Sequence, residues 1–184
     1  PEALDPPAVR RVLRFVVPVA LVVAAATVAF LQWQRANDLD DAADERREVA
    51  TAASTFTSAL LSYDAADLDT ARDRVTALST PEFADDYAEA FDNGLRAVIT
   101  ELEAVSTATV RDVFVAEVSG ASARAVVVVD ASVRSTAGVR DLTGSYMQLE
   151  LQRVGDRWLV SAANVVGAED EAVTPLPEAP DSGG

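Results

Sequence analysis

VSTATVRDVFVAEVSGASARAVVVVDASVRS (residues 105–135) is where apolar side chains stop recurring every three or four positions and begin to alternate, with β-branched residues dominating. Two strands are predicted in it, Thr107 to Val118 and Ala121 to Arg134, separated by the turn pair Ser119-Gly120. Downstream the same alternation predicts strands from Leu142 to Val154 and from Arg157 to Val166, parted from their neighbours by Thr136-Ala137-Gly138 and Gly155-Asp156. Links this short join antiparallel neighbours, so four strands form a meander.

Upstream the period is helical. Val49, Ala52 or Ala53, Phe56, Leu60 and Tyr63 mark one amphipathic helix; Leu68, Ala71, Val75 and Leu78 mark a second. The segment Ser79-Thr80-Pro81-Glu82 then reads as a helix start, with a hydroxyl to cap and a proline at the first helical position. The third helix carries Phe83, Tyr87, Phe91, Leu95, Val98 and Leu102 on one stripe, with Gly94 a tolerable interior weakness. Three helices followed by four strands predict a two-layer α+β domain, a cone of helices packed on one face of a curved antiparallel sheet. Ala125, Val127, Val129, Ala131, Val133, Met147, Leu149, Leu151, Trp158 and Val160 are the expected inward residues. Val126 and Val128 interrupt the polar face; a central strand tolerates valine anywhere, and the alternative is a contact face for a partner.

Further toward the N-terminus, Phe15 to Gln34 is free of charge over 20 residues, enough helix to cross a hydrocarbon layer of about 30 Å. Arg10, Arg11 and Arg14 precede it and Arg35 follows, which predicts a cytoplasmic N-terminus, a single pass through the cell membrane and an extracytoplasmic C-terminal domain. A cleaved signal peptide ending near Ala24 to Ala26 is the rival reading, and it also exports the domain. No Gly or Pro interrupts Val19 to Thr80, so the membrane helix is expected to run on as a charged, solvated stalk. The expected organisation is a disordered tail over 1–14, a transmembrane helix over 15–34, a stalk over 35–48, the cone-like domain over 49–166 and a disordered acidic tail over 167–184.

Composition removes several functions. From Ala36 onward there are 11 arginines against 28 acidic residues, a surface that repels nucleic acid. Absence of Cys and His removes thiol and imidazole chemistry and nearly all zinc or copper ligand sets, so no cofactor, metal or catalytic residue is expected. The acidic run Asp38 to Glu48 lacks the glycine and alternate-ligand spacing of a calcium loop. An enzyme of this fold would need a buried carboxylate beside Tyr63, Tyr87 or Tyr146. A ligand-binding cone would line an apolar pocket with Phe56, Tyr63, Phe91, Met147 and Trp158, residues whose spacing equally fits plain core.

The basic N-terminus, single span, charged stalk, LLSYD (60–64), TARDRVTALSTPEFADDY (70–87) and GDRWLVSAANVV (155–166) together resemble the actinobacterial Mce-associated membrane proteins. The likeness covers Arg10 to Val166, although the family's usual Gly after the Thr is here Pro81. It implies an outer domain similar to nuclear-transport-factor-2-like cones and to periplasmic assembly factors of type IV secretion. It also implies a non-catalytic accessory subunit of a lipid or sterol import complex, with the membrane and other protein subunits as partners. Assembly of a secretion or conjugation machine shares anchor and fold with that reading, and the sequence leaves the two open.

Overall fold

A computed structural model describes residues 41–167 and 170–174. The expected transmembrane segment 15–34, both tails save 167 and 170–174, and the stalk before residue 41 lie outside the described residues. Among the described residues no helix is long and apolar enough to cross a membrane. The chain divides into two units, Pro1–Asp44 and Glu45–Gly184.

Helix α1 (41–61) is followed by a two-residue strand β1 (Tyr63–Asp64) and helix α2 (Leu68–Thr76). Helix α3 runs as Pro81–Ala90, a π-helical turn Phe91–Leu95 and Arg96–Glu101. Strands β2 (Val105–Ser119), β3 (Ser122–Ser135), β4 (Gly138–Val154) and β5 (Arg157–Gly167) form the antiparallel meander, and β6 (Asp170–Thr174) pairs with the start of β4. The α+β class, the three helices and the four long strands match the sequence reading. The sheet, however, holds two short strands that the reading lacks, β1 on the edge of β2 and β6 beside Val139 to Thr143. Two residues are too few to show a period, and β6 falls in an acidic stretch whose composition reads as tail.

The expected inward residues do line one side of the sheet. Ala125, Val127, Met147, Leu149, Leu151, Trp158 and Val160 form one cluster with Val49, Ala53, Phe56 and Val75 from the helices, all at most 6% exposed. A second, smaller cluster holds Leu68, Phe91, Ile99 and Ala104, with Tyr63, Leu102 and Val133 packed against it. The stripe on α3 shifts partway along. Leu95 and Val98 are 45% and 53% exposed, while Ile99 is buried at 3%. The cause is the π turn, which inserts one residue per turn and moves the inward position from 98 to 99.

The start of α3 also differs from expectation. Thr80 is the N-cap and Pro81 follows it, but the threonine hydroxyl makes no cap bond. The segment serves the sheet instead: the Thr80 N–H donates to the Val160 carbonyl at 2.8 Å and the Val160 N–H donates to the Leu78 carbonyl at 3.0 Å, covering the edge of β5. The Ser79 hydroxyl, buried, donates to the Val75 carbonyl at 2.7 Å. Helix α3 closes in a Schellman turn: the Ala104 N–H reaches Ile99 and the Glu103 N–H reaches Thr100, with Glu103 at φ 47°.

Candidate functional site

The five residues expected to line a pocket stand in two places. Phe56, Met147 and Trp158 belong to the main cluster, where the Phe56 ring meets Phe83 edge-on at 5.9 Å and the Thr57 hydroxyl lies 3.8 Å from the Met147 sulfur. Tyr63 and Phe91 belong to the smaller cluster. Tyr87 lies between the two, 5.7 Å from Phe91. Burial raises the pKa of the Tyr63 phenol, an effect opposed by its hydrogen bond with Ser106; burial likewise raises that of Tyr87.

The open concave space is on the other side of the sheet. One cavity of about 560 Å³ is lined by Ala116, Val126, Gln148, Glu150, Ala162 and Asn164 among others. A smaller one of about 250 Å³ shares Arg124 and Glu150 with it and continues to Ser119, Ser122 and Gln152. The lining of the larger cavity sets the small side chains of Ala116 on β2 and Ala162 on β5 on either side of Arg124 of β3 and Gln148 and Glu150 of β4. Val126 and Val128 are half-buried on this face; Val126 stands between Phe114 and Gln148, and Val128 between Asp112 and Tyr146. Phe114 at the edge is 58% exposed, the second most open large apolar side chain after Val165 among the described residues. Strand alternation could have flagged Phe114, except that two β-bulges in β2 obscure its parity.

Charge is arranged in two sets. On the helical side Arg72 pairs with Asp73 and Asp92, and Arg96 pairs with Asp69 and Asp92 while its guanidinium covers the Phe91 ring at 5.2 Å. Hydrogen bonding from Arg96 holds the Asp69 carboxyl below its ordinary pKa. On the outer face Asp130 accepts from the Gly144 N–H at 2.9 Å and from Arg111, and these bonds lower its pKa; Arg124 pairs with Glu117. Among the described residues, the Asp69 and Asp130 carboxyls are both held below the ordinary carboxylate range by the groups that donate to them. Among the described residues no group of His, Cys, Asp and Glu could hold a metal ion.

No family model and no curated protein matches the chain. Solved structures do. The periplasmic domain of DotI is 15% identical with a TM-score of 0.57, the match covering 65% of this chain and 94% of that one. An IcmL-like type IV secretion system protein from Legionella pneumophila is 10% identical with a TM-score of 0.51, the match covering 72% of this chain and 95% of that one. At these identities the shared property is the fold.

Proposed function

We propose that this chain is a non-catalytic assembly subunit of a protein complex in the cell envelope, its α+β unit carried outside the membrane by the apolar segment 15–34. The observation that carries the reading is the shared fold with the DotI periplasmic domain and the IcmL-like secretion protein, each covered over nearly its whole length. Fold alone does not fix function. What favours assembly over chemistry is the combination with a chain that has no His and no Cys and a main core filled by Phe56, Met147 and Trp158. The outer face around Val126 and Val128 is the docking face in this reading, because it is half-apolar and concave.

A second reading, an accessory subunit of an Mce-type lipid or sterol import complex, rests on the sequence resemblance of segments 70–87 and 155–166. A lipid chain housed among Phe56, Tyr63, Phe91, Met147 and Trp158 has less support, since those residues are split between two apolar clusters.

The test is extraction of the full-length chain in a gentle detergent and mass spectrometry of co-purifying proteins. Secretion ATPases and channel subunits support the first reading; Mce proteins and permeases support the second. A chain that emerges alone under conditions preserving envelope complexes defeats both. Val126→Asp and Val128→Asp should reduce recovery of partners without unfolding the protein, because both side chains lie outside the main core.

A further inference from the structure

We propose that helix α3 has two registers, between which its π turn moves, and that Arg96 pins the observed one. Two apolar stripes follow Phe91 in the sequence. Leu95 and Val98 come four and seven residues after it, the spacing that returns a regular α-helix to one face, and Leu102 continues that stripe. Ile99 comes eight residues after it, and the extra residue of the π turn Phe91–Leu95 brings it inward beside Leu68, Phe91 and Ala104. Leu95 and Val98 are thereby left half-exposed, although their own stripe has the regular helical period.

Both ends of this stretch are held. Phe91 is buried, and beyond the helix the Thr136 N–H donates to the Leu102 carbonyl at 2.9 Å and the Ala65 N–H to the Ala104 carbonyl at 3.0 Å. Between these points the extra residue can lie on either side of Val98. With the π turn before it, Ile99 faces inward. With the turn between Val98 and Leu102, Leu95 takes the place of Arg96 and Val98 that of Ile99, a displacement of one helical position, about 100° and 1.5 Å. One isoleucine then comes out while a leucine and a valine go in, so apolar burial by itself does not favour the observed register. Gly94 has nothing within 4 Å of where a Cβ would sit, which leaves the turn room to rewind.

Arg96 supplies the difference. It reaches Asp69 of α2 at 2.6 Å and lies over the Phe91 ring at 5.2 Å, and both contacts are lost when Leu95 takes its place. Its bond to Asp92 at 3.2 Å does not discriminate, because residues four apart meet on any regular helix. Asp69 is 74% exposed, and an ion pair so open to solvent is weak, which sets the second register within thermal reach. Helix α2 thus holds, in one accessible carboxylate, control over the apolar side chains that α3 presents: Leu95 and Val98 with the pair made, Ile99 with it broken.

The sequence has no cysteine, so a single introduced thiol reports the register. In the full-length chain Ile99→Cys should react with a water-soluble maleimide at a rate that low urea leaves unchanged, since a register shift uncovers little surface and global opening uncovers much. Asp69→Asn should raise that rate about threefold and leave Val75→Cys, buried in α2, unaffected. Two deletions keep both ends in place and remove the choice: without Asn93 the helix is regular with Ile99 inward, and without Thr100 it is regular with Val98 inward. Both chains should fold. Ile99→Cys should be protected in the first and reactive in the second, Val98→Cys the reverse, each difference at least about tenfold. A rate at Ile99→Cys that climbs with urea as steeply as at Val75→Cys, or that ignores Asp69→Asn, overturns the inference. So does a chain that folds without Asn93 but not without Thr100. Recovery of partners bears on the assembly role and leaves this device standing.

Discussion

The guanidinium of Arg153 lies over the Trp158 ring, 4.8 Å from its centre, and the same side chain reaches Glu45 at 2.8 Å and Glu48 at 3.5 Å on helix α1. One residue of β4 thereby ties the first described helix to the β4–β5 hairpin. Beneath it Val49 and Trp158 are buried in the main cluster, so the polar tie sits on the rim of the apolar contact. The cation has an aromatic face on one side and two carboxylates on the other, an arrangement that holds the turn from Glu45 to Glu48 against the sheet.

Replacing Arg153 with Met keeps most of the aliphatic stem and removes the charge. Because the partners are a third or more exposed, the ion pairs contribute little, and the ring contact adds about 1 kcal/mol; the total loss should be about 1 to 2 kcal/mol. Urea unfolding of the two proteins gives this difference. Added salt should shrink it only in part, since the ring contact is partly desolvated. An Arg153→Met protein as stable as the parent would show that the tie contributes nothing.

Helix α3 offers a test of its register. If the π turn sets which residues face inward, Ile99→Ala should cost about 2 to 4 kcal/mol while Val98→Ala, half-exposed, stays within about 0.5 kcal/mol. Gly94 in that turn has nothing within 4 Å of where a Cβ would sit, so Gly94→Ala should stabilise by about 0.5 to 1 kcal/mol. The same unfolding measurement decides both. Equal losses at 98 and 99 would mean the helix is regular in solution.

The end of the same helix makes a third prediction. Glu103 occupies the left-handed position of the Schellman turn that glycine favours, and its φ of 47° carries the strain of a Cβ there. Glu103→Gly should therefore raise stability by about 1 kcal/mol, a change visible as a higher urea midpoint with unchanged slope. A destabilised Glu103→Gly protein would mean that the glutamate side chain contributes more than its backbone costs.

These sites show where sequence reading stops. Alternation from Val105 onward determines the long strands because each buries one face, and Val127, Met147 and Leu149 fall inward as their spacing predicts. The π turn is invisible to a fixed 3.6-residue period, which extends the stripe through Leu95 and Val98 and passes over Ile99. Glu103 gives no glycine signal at a position whose geometry asks for one. The outer face was legible only as Val126 and Val128: Phe114 joins them across strands, and cross-strand neighbours depend on bulges that no local pattern marks. The pocket residues share an aromatic or Met character but not a location, because helical spacing says which face a residue takes and not which end of the sheet lies beneath it.

Asp130 connects stability to pH on that same face. Its carboxylate accepts the Gly144 N–H and the Arg111 guanidinium, and both bonds favour the ionised form, so its pKa in the folded protein lies below the value of about 3.9 expected in the unfolded chain. A group shifted downward stabilises the fold above its unfolded pKa. That contribution is lost as pH falls through the folded value, when the proton taken up removes one bond acceptor and the charge facing Arg111. Asp130→Asn retains an oxygen for the Gly144 N–H but has nothing to titrate. Its urea midpoint, followed from pH 6 down to about pH 2, should fall less steeply below about pH 4 than that of the parent, the two curves running parallel above it. Curves that stay parallel through the acid limb would mean that Asp130 titrates alike in the folded and unfolded chain, and that the bond from Gly144 spans the register shift between Val129 and Ala131 in the β3–β4 pairing without coupling it to protonation.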